Sequence, residues 1–165
     1  MGHRALHAVP TGGGYDCYRT RWDGLAVFEG AFPERPDSRL LVAEGLDAVG
    51  VLGALAGGDE ALFVHGEDTV YLVRRLDIPL TSVVDSRSDP ESVLLPVSDP
   101  ETARRLDGDV ATAKGILGDA VDAGLCSQWV AEGYLRAFLT RHPDAGAVVW
   151  VPPVGRGLGP GKPPP

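Results

Sequence analysis

Two apolar runs a few residues apart, Ala61-Leu62-Phe63-Val64 and Val70-Tyr71-Leu72-Val73, constrain this chain more than any other feature. Between them stands Gly66-Glu67-Asp68, residues that suit a turn. A strand with one wet face alternates apolar with polar residues, whereas a near-continuous apolar run belongs in mid-sheet, covered on both faces. The spacing predicts a hairpin over 60–65 and 69–75 that needs strands beside it and helices against it.

Residues 3–9 and 15–22 read as another hairpin, turned by the glycine-rich 11–14. Its returning strand is rich in aromatic and Thr residues. There Asp16, Tyr18, Thr20 and Trp22 share one face, and Tyr15, Cys17, Arg19 and Arg21 the other. Short strands are expected at 40–43, 80–84 and 147–151. Pro33 and Pro36 make 30–37 a loop, and Pro90 and Pro96 break 85–98. A short helix over 47–56 ends at Gly57-Gly58, weakened by its internal glycines.

Ser98-Asp99-Pro100-Glu101 is a helix start. It leads into one helix, or two broken near Gly108, that ends at Gly124. Ser127 caps a second helix, 128–141, stopped by His142-Pro143. Its apolar stripe runs through Val130, Tyr134 and Phe138, with Leu135 and Leu139 one step round. Strands gather in the first half of the chain and helices in the second. The fold class expected is therefore α+β: a mostly antiparallel sheet of two hairpins plus a later strand, packed against two or three C-terminal helices. Residues 1–151 form one domain, and the Pro/Gly-rich 152–165 a disordered tail.

The 23 acidic residues outnumber the 15 basic ones, for a net charge of −8. That balance opposes non-specific binding to nucleic acid or anionic membranes. No apolar run approaches the ~20 residues needed to span a bilayer, and the charged start shows no secretory signal. The expected location is the cytoplasm. Only Lys114 and Lys162 are lysines, asparagine is absent and Gln128 is the sole glutamine. A GC-rich genome produces such a bias. So does life in molar salt, where the Debye length falls to ~3 Å and acidic self-repulsion is nearly abolished. The halophilic reading is preferred.

Chemistry-bearing patterns are few. The chain has no GxxxxGK[ST] phosphate loop, no GxSxG elbow, no HExxH and no EF-hand loop. Gly155-Arg156-Gly157-Leu158-Gly159 has no helix after it. His3, His7, Cys17, His65, Cys126 and His142 are the soft ligand candidates. His3 and His7 share a strand face but lie ~13 Å apart, too far for one metal ion. His3 or His7 with Cys17 across the hairpin is conceivable. No metal site and no cofactor are expected. The two cysteines read as reduced packing thiols, and the pairs Glu67-Asp68, Asp107/Asp109 and Asp119/Asp122 as solvated acidic faces.

The first hairpin stands out. Residues 1–22 hold Arg4, Arg19 and Arg21 against one acid, Asp16. An arginine patch in an acidic protein suits a phosphate or carboxylate, which guanidinium recognises bidentately, and Trp22 can stack on a ring. The candidate ligand-binding residues are His3, Arg4, Arg19, Arg21 and Trp22. The alternative is that the arginines pair with Asp16, Asp23 or other acids and that Trp22 is core.

The opening Met-Gly-His-Arg-Ala-Leu and the strand Tyr15-Asp16-Cys17-Tyr18-Arg19-Thr20-Arg21-Trp22 resemble the start of a family of haloarchaeal proteins with no assigned function. That family closes its second strand with Tyr, then His-Trp-Gly. Here Arg21-Trp22-Asp23-Gly24 stands there: Trp matches, Arg replaces His, and Asp precedes Gly. Residues 60–64 resemble a later strand of the family, so about a quarter of the chain is covered. The resemblance implies a halophilic source, brings no function with it, and lowers the chance of a well-known enzyme class.

The function expected is a non-enzymatic binding or interaction module with a protein partner or as a homo-oligomer. The alternative is a small enzyme or ligand-binding protein in which the hairpin arginines grip an anion and a histidine acts as base.

Overall fold

The computed structural model describes residues 4–21, 36–56, 58–67, 70–81 and 91–151. Seven strands form one sheet: β1 (Arg4–Thr11), β2 (Gly14–Arg21), β3 (Leu41–Leu46), β4 (Asp59–Val64), β5 (Val70–Arg75), β6 (Ser92–Val97) and β7 (Val149–Val151). Their order across the sheet is β3-β2-β1-β4-β5-β6-β7. Every neighbouring pair is antiparallel except β1 with β4. The α+β expectation holds. The apolar pair β4 and β5 takes central positions, as near-continuous hydrophobic strands require.

Three helices accompany the sheet: α1 (Ala48–Ala54), α2 (Pro100–Asp122) and α3 (Gln128–Arg141). The short helix expected over 47–56 is α1, and it lies on the opposite face of the sheet from α2 and α3 rather than with them. One core joins α2 and α3, through Ala103, Leu106, Val110, Ala131, Leu135 and Leu139, to Ala61, Phe63, Leu72, Val93 and Leu95. The other joins α1, through Val51 and Leu55, to Leu6, Ala8, Cys17, Leu62, Val73 and Leu94. The strict alternation of strand side chains divides the sheet residues in this way.

Local chemistry explains the boundaries. Asp99 accepts from the Thr102 N–H at 2.8 Å, Pro100 opens α2, and Gly124 at φ 71° closes the turn after it. Helix α2 is unbroken at Gly108, because one glycine costs only ~1 kcal/mol and flanking Leu106 and Val110 are buried. Ser127 caps α3. The buried stripe of α3 is Ala131, Leu135 and Leu139, with Phe138 partly covered; Tyr134, expected on the stripe, is 65% exposed.

The 85–98 stretch, expected to be irregular, contains β6. Pro96 is tolerated in that strand, on the face that carries Tyr71, with which it pairs in register. Leu80 and Thr81 are not in a strand, and the rest of the 80–84 expectation lies outside the described residues. So do Pro33 and the tail from 152. No described helix is long and apolar enough to cross a membrane.

Candidate functional site

The β1–β2 register sets the arginines. Arg4 pairs with Arg21, and Leu6 with Arg19. Directly opposed residues in an antiparallel ladder point to the same side, so all three arginines rise from the α1 face, as the alternation of β2 predicts.

Arg19 is the anchored member. Its Nε lies 3.0 Å from Asp59 Oδ1, and its Nη2 donates to Asp59 Oδ2 at 3.1 Å and to the Ala54 carbonyl at 2.6 Å. The Asp59 side chain is fully buried. Its Oδ2 also accepts from the Ala56 N–H at 2.8 Å. This fork ties β2 to β4 and to the end of α1. A buried carboxylate needs such saturation, since removing one partner of a buried pair costs ~3–5 kcal/mol.

Arg4 and Arg21 differ. Both are exposed, and neither has a side-chain hydrogen bond or ion pair among the described residues. Arg4 passes over Gly58, where a Cβ would stand 3.5 Å from its Nη1. Two like charges directly opposed across a ladder repel, and no described carboxylate forms an ion pair with either, although Asp59, held by Arg19, is the register neighbour of Arg4 on β4. The expected pairing of the arginines with acids therefore holds for Arg19, through Asp59 rather than Asp16 or Asp23. Asp16 instead accepts from the Gly45 N–H at 3.0 Å. His3 and Trp22, the remaining members of the predicted set, lie outside the described residues.

Cys17 sits on the same face, buried beneath α1. Burial pushes its thiol up, Asp16 adds to that, and Arg19 opposes it. It is a protonated packing group. The conceivable His7–Cys17 pair is not formed: His7 opposes Tyr18, Cys17 opposes Ala8, and the two side chains take opposite faces.

On that other face is a polar chain that sequence order conceals. His7 is completely buried. Its Nδ1 lies 3.0 Å from His65 Nε2, and its Nε2 lies 3.0 Å from Thr20 Oγ1. The ring stacks on Phe63 at 4.9 Å. A hydrogen bond between two imidazoles requires one nitrogen to donate and the other to accept, so one proton lies between His7 and His65 and a second between His7 Nε2 and Thr20 Oγ1. Fifty-eight residues separate the histidines; only the parallel β1–β4 register, His7 beside Phe63, brings them together.

Elsewhere the candidates serve packing. His142 Nε2 lies 3.1 Å from Asp109 Oδ2, linking α3 to α2. Arg74 holds Asp107, and Asp122 accepts from Thr81. Asp107 and Asp109 thus have separate partners, and Asp68 of the Glu67-Asp68 pair lies outside the described residues. Cys126 is half-buried against the α2–α3 core. Among the described residues no group of three His, Cys, Asp or Glu is placed to hold a metal ion.

No family model matches this chain, and neither a curated protein nor a solved structure matches it.

Proposed function

We propose that this chain is a non-enzymatic binding module for an anionic group, a phosphate or a carboxylate, gripped by Arg4 and Arg21. One observation carries the reading. Two exposed guanidinium groups occupy directly opposed register positions without a described acidic partner, beside a third arginine already held by Asp59. Opposed residues stand ~5 Å apart at Cβ, and each guanidinium offers a planar fork to an oxyanion. A ligand with two adjacent anionic groups relieves the repulsion that the empty pair sustains. The buried Thr20–His7–His65 chain lies behind the sheet from this face, so His7 is no base for a molecule held there.

The arginine-over-lysine usage and acidic balance support a salt-adapted cytoplasm as its setting, and the opening residues support a place in the haloarchaeal family they resemble. Contact pairing of guanidinium with an anion works at short range, where even molar salt screens incompletely.

Isothermal titration with pyrophosphate at low ionic strength tests the reading. Saturable binding is expected in the natural chain. Arg4→Ala and Arg21→Ala should each weaken it, and Lys at both positions should restore only part, because ammonium lacks the fork. Undiminished binding in the double Ala variant, or none in the natural chain, overturns it.

A second reading, strand addition by a protein partner or a second copy, is favoured by β3. It is an edge strand among the described residues, and Leu41 and Val42 on it, with Leu40 just before it, are exposed. An exposed apolar edge is a pairing surface.

A further inference from the structure

A groove of about 200 Å³ runs beside α1 on the arginine-bearing face, away from the arginines themselves. Its floor and wall are apolar, from Ala8, Val51, Leu52, Leu62, Val64 and Leu94. The groove opens beside α1, a seven-residue helix that lies against β2 and β3. The lining also includes three polar side chains, Tyr15, Tyr71 and Glu67. They are close enough for Glu67 and Tyr15 to act electrostatically on the Tyr71 phenol, which burial already pushes up. None of the three has a side-chain hydrogen bond or ion pair among the described residues.

A carboxylate beside two phenols suits a cation. The carboxylate supplies charge, each phenol oxygen accepts a hydrogen bond, and aromatic faces attract ammonium through their quadrupole. The apolar remainder takes a hydrocarbon chain, in the usual pattern of a small-molecule site with a few convergent polar groups. We propose that this groove binds a small aliphatic amine, its ammonium between Glu67, Tyr15 and Tyr71 and its alkyl chain along Leu62 and Leu94 beside α1. An anion is the wrong partner, since it would face Glu67 at close range. The proposal stands independently of the anion site, which uses other residues at the other end of β1.

The test is calorimetric titration of the full chain at neutral pH with n-hexylamine, n-hexanol and n-hexanoate. Hexylamine should bind, hexanol should bind about tenfold more weakly for want of the charge-assisted bond, and hexanoate should not bind. Glu67→Gln, an exposed change that keeps the fold, should bring hexylamine down to the level of hexanol. Leu52→Trp, which fills the groove, should abolish both. The Arg4→Ala/Arg21→Ala variant should bind hexylamine unchanged, so the two sites fail or succeed separately. Equal binding of all three probes, no binding of hexylamine, or a preference that survives Glu67→Gln overturns the proposal.

Discussion

The two faces of the sheet are built differently. Behind β4, β5 and β6, two long helices bury a continuous set of Leu, Val and Ala side chains. On the opposite face a seven-residue helix with Gly50 and Gly53 inside it does the covering. The long-helix face is held by packing and by crossing ties such as Arg74–Asp107, Arg105–Asp144 and Arg136–Glu91. The short-helix face is held by a smaller apolar cluster and the Arg19–Asp59 fork, and among the described residues it carries a groove, two arginines without an ion-pair partner and an apolar edge. Helix length sets the contrast: apolar area removed from water grows with every covered turn, at ~25 cal/mol per Å². On this account stability is concentrated on the long-helix face.

The largest effects should separate the faces. Leu135→Ala empties a fully buried position beneath α3 and should cost ~2–5 kcal/mol in urea unfolding. Leu52→Ala, on half-buried α1, should cost less than half as much. Equal losses would erase the distinction. Thr20→Val should come next. It removes the buried hydroxyl 3.0 Å from His7 Nε2 at nearly constant volume, and a lost buried partner costs ~1–3 kcal/mol. A neutral result would show the His7 chain to be dispensable to the fold.

The smallest effect should be the acid response. Hydrogen bonds from the Thr102 N–H and hydroxyl hold Asp99 below its usual value. The bond from Arg105 does the same for Asp144. A carboxylate whose folded pKa is depressed stabilises fully above its unfolded value near 4, and that contribution is lost as pH falls through the folded value. Both groups tie the N-terminal part of α2, so acid should loosen the long-helix face modestly below about pH 4. Asp99→Asn with Asp144→Asn should flatten that part of a melting-temperature profile against pH; an unchanged profile would remove these carboxylates from the acid response.

Much of this contrast was readable from residue patterns. The central hairpin announced itself through its unbroken apolar runs, and Asp99-Pro100 and Ser127 marked where α2 and α3 begin. The shared face of Cys17, Arg19 and Arg21 followed from alternation. What escaped depends on long-range register. Strand β6 was hidden by Pro96, which reads as a breaker until its place beside Tyr71 is known. The parallel β1–β4 contact, which creates both the His7–His65 chain and the Arg19–Asp59 fork, joins segments about fifty residues apart with no local signal. The side of the sheet that α1 takes is likewise decided by tertiary packing. The arginine set was legible as a cluster, but not that Arg19 is held by Asp59 while Arg4 and Arg21 have no ion-pair partner among the described residues.

Native-state hydrogen exchange tests the division of the molecule most directly, because it reads the opening free energy of each segment. The slowest amides are expected in β4, β5, β6, α2 and α3, exchanging only through global unfolding. Those of α1, β3 and the outer half of β2 should open at lower free energy and slow when pyrophosphate is added. Uniform protection across both faces, or pyrophosphate slowing that spares the α1 face, would contradict it.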